Sequence, residues 1–90
     1  MEVLRATVYF HGHVQGVGFR YAALQVAREF EIAGYVQNLP DGRVLAEVEG
    51  SPADVEAYVA AVEEKMQGFV RKTERSVRKG APQFQGFVIK

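Results

Sequence analysis

Period-two and period-3.6 hydrophobic patterns alternate along this chain in the order β-α-β-β-α-β, which predicts an α+β fold. Three observations carry that reading. Residues 4–11 alternate apolar and polar side chains. Two later segments carry apolar residues at helical spacing. A turn at Pro40-Asp41-Gly42 separates two strand-like runs.

In the first strand, Leu4, Ala6, Val8 and Phe10 alternate with Arg5, Thr7, Tyr9 and His11, so one face is buried. A glycine-rich run follows, Gly12-His13-Val14-Gln15-Gly16-Val17-Gly18-Phe19-Arg20. Phe19, Ala23, Val26, Ala27 and Phe30 then form one apolar stripe, which predicts a first helix from about residue 19 to 31, ended near Gly34. Tyr35 to Leu39 reads as the second strand. Pro40 presets φ for a turn and Gly42 supplies a positive φ. Arg43 to Glu49 reads as the third strand, with Val44, Ala46 and Val48 on one face and Gly50 ending it. Ser51-Pro52-Ala53-Asp54 opens the second helix, with serine as N-cap, proline at the first helical position and Asp54 three residues after the cap. Val55, Tyr58, Val59, Val62 and Met66 are its apolar stripe, and Gln67-Gly68 stops it. Residues 69–79 are sparse in apolar residues and rich in Lys and Arg, as suits an edge strand. Gly80-Ala81-Pro82 reads as a loop and Phe84 to Ile89 as a short last strand.

Two split βαβ units in this order predict a ferredoxin-like sandwich in one domain, residues 1–90. The expected sheet is antiparallel with order 4-1-3-2, both helices lie on one face, and a short C-terminal strand completes the chain. The first and second strands then flank the third and run in the same direction. Their C-terminal ends sit on one rim of the sheet, roughly 10 Å apart. The glycine-rich run leaves the sheet there, and Asn38 lies at the same rim.

Ninety residues suffice for one domain, and 48% hydrophobic residues suffice for one core. Eleven basic residues balance eleven acidic ones, so no global charge pulls the chain toward nucleic acid or membrane. The charges are unevenly spread. Between Glu29 and Glu64 nine acids face one base, Arg43, whereas Lys65 to Lys90 holds seven bases and one acid, Glu74. Without cysteine, disulfides, thiolate catalysis and cysteine metal sites are excluded. No apolar run approaches the roughly 20 residues that span a bilayer, and the N-terminus lacks a signal-peptide layout, so a cytoplasmic protein is expected.

The glycine-rich run carries the functional signal. A glycine turn between strand and helix lets several backbone N–H groups converge, and the helix start adds unpaired N–H groups and the positive end of its dipole. Such a place holds an anion. Arg20 adds a fork of donors suited to two phosphate oxygens. His11 and His13, two residues apart with no acid or cysteine beside them, do not complete a metal site. Glu47 and Glu49 project from one face of the third strand and read as a solvated face rather than an acid–base pair. Tyr35 reads as packing.

With Arg20 and Asn38 placed at one rim, the chain resembles the acylphosphatase family. The residues that carry the match are Gly12, Val14, Gln15, Gly16, Val17, Phe19 and Arg20, then Gly34-Tyr35-Val36-Gln37-Asn38, then Gly42, Val44 and Gly50. The resemblance implies hydrolysis of the carboxyl–phosphate anhydride of acyl phosphates. It implies that Arg20 binds the phosphate, that Asn38 orients the attacking water, and that the N–H groups of the run from Gly12 to Arg20, including His13, Val17 and Gly18, hold the phosphate oxygens. No metal or cofactor is implied. The partners it implies are a small acyl phosphate as substrate and inorganic phosphate as product and competitive inhibitor, with no nucleic acid and no membrane; a monomer is expected. The chain departs from the family at His13, where Arg or Lys is frequent, and at Gln67-Gly68-Phe69, where a Gly-Pro turn is frequent.

Two other functions share this element order. RNA-recognition domains stack bases on aromatics of their central strands, but Arg43 to Glu49 has no aromatic and two acids. A carrier domain could bind an acyl or carbamoyl phosphate without turnover, as similar domains occur in larger hydrogenase-maturation proteins; a free 90-residue chain argues against that.

Overall fold

The alternation at the N-terminus becomes β1, Val3–Gly12, in a computed structural model that describes residues 1–90. It is followed by α1 (Phe19–Ala27), β2 (Ile32–Asn38), β3 (Val44–Gly50), α2 (Pro52–Lys65), β4 (Val70–Gly80) and β5 (Phe87–Ile89). The sheet order is β4-β1-β3-β2-β5. The ferredoxin-like core order 4-1-3-2 holds, with β1 antiparallel to β3 and β4, and β2 antiparallel to β3. The expectation of an antiparallel sheet is corrected at one edge. The short last strand pairs parallel to β2, aligning Gly34 with Phe87 and Val36 with Ile89, so the five-stranded sheet is mixed.

Element ends differ from expectation for local reasons. Ala27 ends α1, four residues earlier than expected, because Arg28, Glu29 and Phe30 bond three residues back rather than four. Phe30 nevertheless meets Tyr58 edge to face at 6.3 Å. β2 begins at Ile32, since pairing with Gly50 extends the ladder past the apolar run. β5 is shorter than expected because the Phe84 N–H is taken by Glu49 and Gly86 turns the backbone with a φ of 66°.

The core lies between the sheet and the two helices. Ala6, Val8, Phe10, Val36, Val44, Ala46 and Val48 point inward from the strands and are all buried. They meet Phe19, Ala23 and Val26 of α1 and Val55, Val59 and Val62 of α2. Each such valine contributes roughly 1.5–3 kcal/mol by leaving water. Tyr58 is fully buried and donates its hydroxyl to the Ala23 carbonyl at 2.9 Å, joining the helices. Burial pushes this phenol well above its ordinary pKa, so it stays a donor. At the start of α2, Ser51 Oγ accepts from the Asp54 N–H at 3.1 Å, the expected cap.

The opposite sheet face corrects a second expectation. Glu49 is not solvated; it is 3% exposed and sits across the β1–β3 ladder from Arg5, itself 5% exposed. Arg5 Nη2 donates to Glu49 Oε1 at 2.9 Å and to the Ala81 carbonyl at 2.7 Å. Glu49 also accepts from the N–H groups of Gln83, at 2.9 Å, and Phe84, at 3.0 Å. The reason is topological. The chain must pass from β4 at one edge to β5 at the other, and this buried pair fastens the crossing segment to the sheet. Glu47 is half-buried and accepts from Thr7 Oγ1 at 3.1 Å. Tyr35 packs as expected, edge to face with Phe84 at 5.8 Å.

Candidate active site

β1 does not simply end; it is turned out of the sheet. A register shift separates His11 from Gly12, whose φ is 129°. A Cβ at Gly12 would lie 2.3 Å from the Phe69 carbonyl oxygen, so only glycine fits against the start of β4. The His13 N–H then donates to that same Phe69 carbonyl at 2.9 Å and fixes the loop's departure. Val14 is buried and ties the loop to the core. Gln15 Nε2 donates to the Leu39 carbonyl at 2.7 Å and to the Arg43 carbonyl at 3.0 Å, clamping the loop to the β2–β3 turn.

Gly18 stands at the N-cap of α1 in the left-handed region, φ 77°, and offers no side chain to cap the helix. No acid lies in the first turn. The positive end of the helix is therefore uncompensated. The N–H groups of Val14, Gln15, Gly16, Val17 and Gly18 donate to no acceptor in the protein. Five consecutive free donors before a bare helix start make a ready anion cradle.

A pocket of about 270 Å³ opens where this loop, the start of α1, the end of β2 and β5 meet. Arg20, Asn38, Gly16 and Gly18 line it, over the buried side chains of Val14 and Phe19, with Tyr21 and Ile89 completing the wall. The two residues placed together by the predicted topology thus share one cavity. Arg20 Nη1 donates to the Lys90 main-chain oxygen at 3.3 Å and pairs with no Asp or Glu side chain. Its charge is left available for an anion. Asn38 ends β2 opposite Val44, and its Oδ1 is buried with no hydrogen-bond partner. An acceptor left unsatisfied in this way costs about 1–3 kcal/mol.

The other expected site residues fall in two groups. Gln15 and Val17 belong to the cradle's backbone but do not line the pocket. Gly12 and His13 line a separate depression with His11 and Arg71, and the His13 ring lies 6.3 Å from that of Phe69. Sequence reasoning missed Tyr21, Ile89 and Lys90. Tyr21 lies off the buried stripe of α1, and nothing in the period of residues 84–90 signals that they run beside β2.

The profile of the acylphosphatase family matches residues 6–89. An acylphosphatase of Corynebacterium glutamicum is 42% identical over 71 residues, which cover 79% of this chain and 76% of that protein. One from Archaeoglobus fulgidus is 51% identical over 55 residues, covering 61% of this chain and 62% of that protein. The crystal structure of acylphosphatase from Bacillus subtilis superimposes with a TM-score of 0.89 at 31% identity, covering 97% of this chain and 98% of that one. With the family profile running from the first strand to the last, this chain belongs to the acylphosphatase family.

Proposed function

We propose that the pocket hydrolyses the carboxyl–phosphate bond of acyl phosphates. The observation that carries this reading is the meeting of free loop amides, an Arg20 that pairs with no Asp or Glu, and the Asn38 side chain at one cavity. The phosphoryl oxygens sit against the N–H groups of the loop and the Arg20 guanidinium. Phosphoryl transfer asks a protein mainly for position and charge stabilisation. Asn38 accepts a hydrogen bond from water through Oδ1 and aligns it with phosphorus. A carboxamide is no base near neutral pH, so Asn38 orients this water without deprotonating it. The water oxygen bonds to phosphorus, and the bridging P–O bond breaks with its electron pair leaving on the carboxylate. The water's proton passes to solvent. A carboxylate is a good leaving group and needs no general acid. Arg20 and the amides supply the positive charge, so no metal or cofactor enters the reading.

Inorganic phosphate, the product, fits the same cradle and inhibits competitively. The chain acts as a monomer in the cytoplasm on a small molecule, without nucleic acid or membrane. No helix is long and apolar enough to cross a membrane. The test is hydrolysis of benzoyl phosphate in excess chelator, with phosphate as inhibitor. Turnover that is insensitive to chelator and competitively inhibited by phosphate supports the reading; absence of turnover overturns it.

A further inference from the structure

Six large hydrophobic side chains are exposed, and two of them, Tyr21 at 64% and Ile89 at 38%, line the cavity that holds Arg20 and Asn38. Tyr21 follows Arg20 directly on α1, about 100° further round the helix. Its ring makes no aromatic pair. The tyrosines on the open sheet face are treated differently. Tyr9 is covered by the Arg43 guanidinium at 4.5 Å, and Tyr35 by Lys90 Nζ at 4.0 Å. A bare aromatic face beside a branched aliphatic, both at the mouth of a polar pocket, gains by being covered.

Building on the proposed hydrolysis, we infer that Tyr21 and Ile89 form an apolar shelf for the acyl group, so that the protein favours acyl phosphates with aromatic or branched apolar acyl groups over small ones. The acyl carbon is joined to phosphorus through a single oxygen. A phosphoryl group held by the loop therefore leaves its acyl group within the same cavity. The alternative receiver, the depression lined by His11, Gly12, His13 and Arg71, shares no lining residue with that cavity. The shelf touches the acyl group equally before and during P–O cleavage. Its contribution is therefore to KM rather than kcat.

The experiment measures kcat and KM for benzoyl, acetyl and succinyl phosphate with the natural chain, Tyr21→Ala and Tyr21→Phe. Tyr21 is exposed, so neither variant disturbs the core. The expected result is a natural preference for benzoyl phosphate. In Tyr21→Ala the benzoyl-to-acetyl ratio of kcat/KM falls about tenfold, mostly through KM, as loss of a few covered methylene equivalents implies. Tyr21→Phe keeps the ratio, because the ring and not the hydroxyl makes the contact. A ratio unchanged in Tyr21→Ala, with hydrolysis intact, overturns the shelf and leaves the hydrolysis standing. A preference for succinyl phosphate also overturns it, since its free carboxylate would seek Arg71 in that depression rather than an apolar shelf. Hydrolysis of none of the three overturns the shelf and the proposed function together.

Discussion

Gln15 holds Leu39: the side-chain amide of the loop residue donates at 2.7 Å to the carbonyl of the residue that follows Asn38. The loop that offers its N–H groups and the strand end that offers a carboxamide are thereby one rigid unit, although they lie far apart in sequence. The second bond, to the Arg43 carbonyl, closes the clamp across the hairpin turn.

Gln15→Ala removes both bonds while leaving every loop N–H in place. Chemical denaturation is expected to show a loss of about 1–2 kcal/mol. The larger effect falls on turnover, about tenfold or more in kcat, because water and phosphorus lose their mutual alignment.

Arg20→Ala removes the one side-chain cation in the pocket. Steady-state kinetics on benzoyl phosphate are expected to show kcat/KM lower by about 10²–10³, with weaker inhibition by phosphate. Arg20→Lys restores little of this, since a point charge does not reproduce the planar fork.

Asn38→Ala separates orienting water from holding phosphate. Turnover is expected to fall about 10²-fold while the inhibition constant for phosphate stays within about twofold. Inhibition that weakens as much as turnover would make Asn38 a phosphate ligand instead.

Glu49 gives the fold a pH dependence. Burial alone pushes its carboxyl up, but the N–H groups of Phe84 and Gln83 and the Arg5 guanidinium outweigh it and hold the carboxyl below its ordinary 4.5. A depressed folded-state value means the stabilisation is fully present above the ordinary carboxylate range and is lost as pH falls through that lower value. Glu49→Gln leaves Arg5 buried without its charge partner, which costs about 3 kcal/mol near neutral pH. Denaturation at several pH values is expected to show this deficit beginning to shrink below the ordinary 4.5, where the unfolded carboxyl takes up a proton, and vanishing once pH passes the lower value at which folded Glu49 protonates.

Most of the candidate site's layout was readable from local chemistry. The glycines between an alternating strand and an apolar helical stripe announce a cradle, and split βαβ topology brings Arg20 and Asn38 to one rim. What stayed hidden was set by contacts between distant segments. Glu49 alternates with valines like any solvent-facing residue, and only the crossing of residues 81–84 buries it. Ile89 reaches the pocket, and Lys90 reaches Arg20, because β5 adds to β2 in parallel, a pairing of three residues that carries no periodic signature. The expected end of α1 overshot because Phe30 continues the apolar stripe after the helix has tightened into a turn.

The proposed hydrolysis requires water to be delivered to phosphorus in this pocket. Single-turnover hydrolysis of benzoyl phosphate in ¹⁸O-labelled water, with mass analysis of both products, tests that directly. One labelled oxygen in phosphate and none in benzoate is the predicted result. Label in benzoate would mean attack at the carbonyl carbon, and would contradict the roles given to Arg20 and Asn38.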